Sequence, residues 1–264
     1  MIIYKTAEEI AVMRQSNQIV ARVLAELKAM VRPGVRTCEL DAYAEARARE
    51  LGAVPAFKGY RGYPGSLCTS VNEEIIHGIP SQRILREGDI IGLDFGVLFE
   101  GFYGDAAVTV PVGSIEPPAR RLIAVAEAAF YKGIEQLTKG NRISDISHAI
   151  QVYVESEGFS VIRSFVGHGI GHSPHEEPQV PNFGPPGRGP KIKEGLTLAI
   201  EPMIAAGDWQ EEILDDGWTA VTKDRSLSAH YEHTVAVTRR GVEILSLDEP
   251  GKPSHFSPEE KSYA

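Results

Sequence analysis

Apolar residues recur at helical spacing from about Ala7 to Met30, at Ile10, Met13, Val20, Val23, Leu24 and Leu27, and predict an amphipathic helix with one face in a core. A turn at Pro33-Gly34 separates it from a second helix over about Glu39 to Leu51, stopped at Gly52. The same sequence of signals returns later. One helix is predicted from about Ala119 to Leu137, Gly140 breaks it, and another runs from about Asp145 to Glu157 and stops at Gly158. Gly34 and Gly140 are 106 residues apart, as are Gly52 and Gly158. Strand signals repeat too: Glu87-Gly88-Asp89-Ile90-Ile91-Gly92-Leu93-Asp94 is matched by Glu194-Gly195-Leu196-Thr197-Leu198-Ala199-Ile200-Glu201, at an offset of 107. Downstream, Gly104-Asp105-Ala106-Ala107-Val108 pairs with Tyr231-Glu232-His233-Thr234-Val235. Each half therefore carries strands marked by two acidic residues. We read an α+β architecture of two halves, about 1–115 and 116–247, related by a pseudo-two-fold, with joined sheets and helices on one side. Residues 1–247 are expected to form one domain, and 248–264, rich in Pro, Ser and charge, a loose tail.

Composition narrows the function classes. With 264 residues, 42% hydrophobic and 24% charged, the chain can bury a substantial core. Its net charge of -9 argues against a nucleic-acid partner, which would call for excess Lys and Arg. Two cysteines, Cys38 and Cys68, give no disulfide framework and are expected to be reduced thiols in the cytoplasm. Neither a secretory signal nor an apolar run long enough to span a bilayer is visible.

The acidic residues carry the chemistry. Asp94 and Asp105 flank a predicted hairpin turning near Glu100-Gly101, which would set them nearly opposite across the ladder. Paired like charges in a strand are destabilising unless a cation sits between them. Asp94 closes the apolar run Ile90-Ile91-Gly92-Leu93, Glu201 closes Leu196 to Ile200, and Glu232 precedes Val235 and Val237. Four carboxylates aimed from core strands at one place call for hard divalent cations, and a single histidine shifts the preference toward Mn, Fe, Co or Zn. His168 and His172 have the spacing of a helical zinc pair, but Gly167, Gly169 and Gly171 make a helix implausible there. His168 in a glycine-rich strand is the expected single nitrogen ligand. His77 and His175 share a His-x-x-Pro form. His148, His172, His230, His233 and His255 are assigned no site role, with His233 the one to check for a supporting hydrogen bond.

Taken together, Asp94 and Asp105 eleven apart, Gly167-His168-Gly169-Ile170-Gly171, His175-Glu176-Glu177-Pro178, Ile200-Glu201-Pro202-Met203 and Tyr231-Glu232-His233-Thr234 closely resemble the type I methionine aminopeptidases. The resemblance runs from about Lys5 to Leu247, with every motif in order. It implies the pita-bread fold and two divalent ions (Mn, Fe, Co or Zn) on Asp94, Asp105, His168, Glu201 and Glu232. It also implies that Glu201 moves protons, that His77 and His175 contact substrate beside the scissile bond, and that Tyr60, Tyr63, Cys68 and Trp218 line a methionine pocket. Pro174 departs from the family pattern, where a bulky apolar or aromatic residue is common before that second histidine, and this bears on one pocket wall. The implied partners are N-termini of nascent polypeptides and, transiently, the ribosome, with no direct nucleic-acid or membrane contact, for a monomer in the cytoplasm. Two rivals compete: an Xaa-Pro peptidase of the same fold, whose relatives carry an added N-terminal domain, and a binding protein that has lost activity. The second predicts missing ligands, and none is missing.

Overall fold

In the computed structural model the described residues are 1–247, so the expected tail, 248–264, lies outside them. Helix α1 spans Ala7–Met30. Thr6 caps it: its hydroxyl accepts from the Glu9 N–H at 3.2 Å, and the Glu9 carboxylate accepts from the Thr6 N–H at 2.7 Å. All six apolar residues of its predicted stripe are buried. Helix α2, Thr37–Glu50, and helix α4, Ile143–Ser156, each begin two residues before the expected start. The reason is the same in both. Glu39 reaches back to the Arg36 N–H (3.0 Å) and Asp145 to the Arg142 N–H (2.7 Å), so each acid lies inside the first turn rather than before it. Helix α3, Pro117–Ile134, ends three residues early, because the following Gln136 and Leu137 N–H groups bond to carbonyls only three residues back. Gly52 and Gly158, just past the ends of α2 and α4, have φ of 79° and 80°, the left-handed turn that glycine adopts without strain.

The main sheet is antiparallel and nine-stranded. Its backbone is the ordered path Val54–Pro55, Ile90–Phe99, Phe102–Pro111, Glu232–Thr238, Thr197–Ile200, Gly167–Gly169 and Glu176–Val180, with Cys68–Val71 also paired to Ile90–Phe99 and Gly241–Ile244 to Glu232–Thr238. Strands Phe102–Pro111 and Glu232–Thr238 meet where Glu232 faces Ala107 and His233 faces Ala106. One register expectation is corrected. The hairpin turns on Glu100 and Gly101, both with positive φ (47° and 82°), as a two-residue turn of the primed type requires. Asp94 is therefore opposite Ala107 and Asp105 opposite Gly96, so the two aspartates are diagonal neighbours on one face rather than a facing pair.

Strand alternation sorts the two faces. Ile91, Leu93, Phe95 and Val97 pack with Val20, Leu24 and Leu27 of α1 and Leu40 of α2. Leu198, Ile200 and Val235 pack with α3 and α4 through Leu122, Phe130 and Ile146. The residues between them point the other way, toward the site. Two further three-stranded sheets close that side: Ser228–His230 with Met203–Ala205 and Ser160–Val161, and Glu211–Ile213 with Ala220–Thr222 and Glu74–Ile76. Helix α1 also holds the far end of the described chain. Arg14 Nε and Nη2 donate to the two carboxylate oxygens of Glu243 at 2.5 and 3.0 Å, and Gln18 Nε2 donates to the carbonyls of Leu245 and Leu247 at 2.9 and 3.0 Å. None of the described helices is long and apolar enough to cross a membrane.

Gly104 lies close against α1. A Cβ there would lie 2.9 Å from the backbone of Ser16 and Asn17, which cannot swing aside as a side chain could. We predict that Gly104→Ala lowers unfolding free energy by about 1–3 kcal/mol through overpacking, measured by urea denaturation; an unchanged midpoint would show that α1 is not seated against this strand.

Candidate metal centre

Five sequence-predicted residues converge on the face of the sheet away from the helices. Asp94 and Asp105 come from the hairpin, His168 from Gly167–Gly169, Glu201 from the residue after Thr197–Ile200, and Glu232 from the start of Glu232–Thr238. Their ladder partners include small residues: Ala107 faces Asp94 and Glu232, Gly96 faces Asp105, and Ala199 faces His168. Donor atoms of Asp105, His168 and Glu232 lie within 4.8 Å of one another. Glu201 reaches the same place, its Oε1 3.4 Å from His168 Nε2. His168 Nδ1 lies 3.0 Å from the Gly169 carbonyl. That contact fixes its proton on Nδ1 and leaves the Nε2 lone pair facing the acids.

Electrostatics single the cluster out. Asp105, Glu201 and Glu232 are buried, and among the described residues no Lys or Arg pairs with them or with Asp94. Oδ1 of both Asp94 and Asp105 is buried with no hydrogen-bond partner. Burial, reinforced by the neighbouring carboxylates, pushes Asp105, Glu201 and Glu232 well above the usual carboxylate range. Burial also takes Asp94 up to about 7. The imidazole of His168 is pushed the other way, down to about 3, chiefly by burial. A neutral histidine and orphaned carboxylate oxygens are the donor set that divalent cations take, so the residues fit such ions.

His77 and His175 stand at the rim. The Tyr60 hydroxyl lies 3.0 Å from His175 Nδ1, and the two rings stack at 5.4 Å between centroids. His175 is also 4.3 Å, ring to ring, from His168. His77 adopts a left-handed backbone (φ 59°) and meets Phe165 and Trp218 edge-on at 5.8 and 6.1 Å. Burial takes its pKa down to about 4 and also lowers that of His175. Tyr63 packs edge-on against Trp218 at 5.1 Å, with its hydroxyl 2.9 Å from the Gly78 carbonyl and 3.2 Å from that of Leu67. Cys68 pairs with Asp94 across the ladder. Of the expected pocket residues, Cys68 adjoins Asp94, Tyr60 contacts His175 and Trp218 contacts Tyr63 and His77, and Phe165, which carries no sequence signal, packs on His77. Pro174 is buried directly before His175.

The remaining histidines divide. His172 lies near Glu9 and the Gly101 carbonyl, and His148 near the Gly184 carbonyl, both away from the acids. His255 lies outside the described residues. His233 gives the ligands no support: it contacts Ser246 and Tyr231 and packs on Phe130 in the helix layer, because it alternates with Glu232 along the strand. His230, for which the sequence suggests no site role, stands at the acids, its Nε2 3.7 Å from both Glu201 Oε2 and Glu232 Oε2. The signal was present: residues 230 and 232 share strand parity.

The chain is similar to known proteins over most of its length. Residues 11–239 match the model of metallopeptidase family M24. The chain is 50% identical over 246 residues to methionine aminopeptidase 1 of Bacillus subtilis, covering 93% of this chain and 99% of the relative. It is 53% identical over 247 residues to the methionine aminopeptidase of Clostridium perfringens, covering 94% and 99%. The crystal structure of methionine aminopeptidase from Thermotoga maritima superposes with a TM-score of 0.92 at 44% identity, over 94% of this chain and all of that one. Prolidase from Pyrococcus furiosus superposes at 0.75 with 22% identity, over 94% of this chain and 66% of that one, a likeness of fold. The fold is the pita-bread fold.

A stability signature follows. Acids whose folded pKa is raised stabilise the fold below their unfolded pKa and lose that contribution as pH rises through the folded value. We predict that chelator-stripped protein loses thermal stability from about pH 4 upward through pH 7 as Asp94 and its neighbours ionise, and that Mn²⁺ or Co²⁺ restores it most at the high-pH end. Thermal melts across that range with and without ion decide it; parallel pH profiles would mean that the cation does not relieve these charges.

Proposed function

The chain belongs to metallopeptidase family M24, and on that footing we propose that it is a methionyl aminopeptidase, a hydrolase that removes the N-terminal methionine of polypeptides whose second residue is small. The observation that carries the reading is the cluster of four carboxylates and His168 bordered by His77, His175 and an aromatic slot. Asp94, Asp105, His168, Glu201 and Glu232 would hold two divalent ions. When bound, those ions supply Lewis acidity and a water nucleophile at neutral pH.

The chain's own groups do the rest. Glu201 takes a proton from the attacking water and delivers it to the leaving amine nitrogen, a role that its place at the centre, 3.4 Å from His168, allows. Tyr60, donating to His175 Nδ1, keeps the His175 proton on Nε2, from which it donates to the oxyanion as it forms. His77 holds the amide nitrogen of the scissile bond. Tyr63, Cys68 and Trp218, with Tyr60, accept the methionine side chain by dispersion and sulfur–aromatic contact. The likeness to prolidase is one of fold, and the far higher identity to methionine aminopeptidases favours methionine release over cleavage before proline. The substrate is the N-terminus of a nascent chain, met transiently at the ribosome.

At full metal occupancy, Glu201→Gln should lower kcat by roughly 10²-fold or more, and His175→Ala and His77→Ala by roughly 10²–10³-fold. His172→Ala should leave turnover within a few-fold. Metal content measured on each sample separates lost ions from lost proton transfer. A Glu201→Gln enzyme that keeps its ions and its rate would remove Glu201 from the mechanism.

Specificity is the second test. A large side chain after methionine would push the scissile carbonyl away from the centre, and a misplacement of about 1 Å costs on the order of 10²-fold in rate. Met-Ala-Ser should therefore be cleaved at least ~10²-fold faster than Met-Leu-Ser. Leu-Ala-Ser should fall below Met-Ala-Ser by about 1–3 kcal/mol of discrimination, less if Pro174 loosens the pocket wall. Faster cleavage of Ala-Pro-Ala than of Met-Ala-Ser would assign the proline-specific activity instead.

A further inference from the structure

One imidazole at the centre has no task in the five-ligand scheme. His230 ends the strand Ser228–His230, two residues before Glu232. Thr109 clamps its backbone: the Thr109 hydroxyl accepts from the His230 N–H and donates to the His230 carbonyl, both at 2.9 Å. The side chain is 4% exposed, and its Nε2 is buried with no hydrogen-bond partner. That nitrogen faces Glu201 Oε2 and Glu232 Oε2 at 3.7 Å each, too long for a hydrogen bond. A buried polar nitrogen aimed at two carboxylates without bonding either one calls for a missing partner. The spacing fits a shared one, because ligand bonds of about 2.0–2.2 Å put two donors of one ion roughly 3–4 Å apart.

The donor atoms form two sets. Asp105, His168 and Glu232 lie within 4.8 Å of one another, and so do Asp94, His230 and Glu232. Each set has one aspartate and one histidine, and Glu232 belongs to both. We propose that His230 is a sixth metal ligand, giving the ion on the Asp94 side its own nitrogen donor, so that Glu232 bridges two Asp/His pairs. This rests on the dinuclear reading above. Its chemical consequence is that the Asp94 position, otherwise all oxygen, shifts from Mg²⁺- and Mn²⁺-like preference toward Co²⁺, Fe²⁺ or Zn²⁺.

The test uses the full chain, stripped of metal and reloaded with Co²⁺. X-ray absorption on the fully loaded wild-type protein should count an average of one imidazole per cobalt, and His230→Gln should reduce that to half. In calorimetric titration the variant should bind its second cobalt roughly 10-fold or more weakly, at or beyond the scale seen for loss of a supporting group, while the first ion's affinity holds. Two bound ions with half an imidazole per cobalt in the wild type would overturn the His230 assignment and leave the dinuclear reading standing. That measurement needs no variant to fold. A wild-type chain that binds no second ion would overturn the dinuclear reading and this inference together. Equal weakening of both ions in the variant would make His230 a structural residue and also overturn the assignment.

Discussion

Mutual repulsion among Asp94, Asp105, Glu201 and Glu232 is the constraint around which the molecule is arranged. Each ionised carboxylate removed from water carries an effective penalty of several kcal/mol, and like neighbours add to it. Among the described residues no Lys or Arg relieves them. The fold must therefore be stable enough elsewhere to hold this cluster together. It does so with two separate apolar cores, one under α1 and α2 and one under α3 and α4, both on the opposite face of the same sheet.

The cluster draws on segments far apart in the sequence. Asp94 and Asp105 come from one hairpin, His168, Glu201 and Glu232 from later in the chain, and the rim divides likewise, with His77 and Tyr63 early in the sequence and His175 and Trp218 late. The ladder pair of Glu232 with Ala107 fixes the distance between the early and late segments. Strands suit the task because their side chains leave a hydrogen-bonded backbone in set directions, which gives a preorganised site more precision than loops would.

Much of this was legible in the sequence, and the reasons are local. The stripe of α1 and the glycine stops after α2 and α4 are one-dimensional signals, read directly from spacing. Ends were less legible: Glu39 and Asp145 looked like helix starts because the backbone N–H groups they cap lie three residues earlier. The diagonal placement of Asp94 and Asp105 depends on which two residues make the turn, and moving the turn centre by one residue converts a facing pair into a diagonal one. His230 and His233 were read without strand parity, which sends one to the acids and the other to Phe130. Phe165 reached the rim through tertiary packing alone, which no spacing encodes.

The grip of α1 on Glu243, Leu245 and Leu247 bears on the order of assembly. Contacts between positions separated by 227 and 229 residues are among the most non-local a chain of this length can make, and such contacts slow folding. Helix α1 lies early among the described residues, and the polar anchors it holds lie at their far end. The helix therefore acts as a latch on residues far from it in sequence, and the described architecture closes only when both partners of that contact are present.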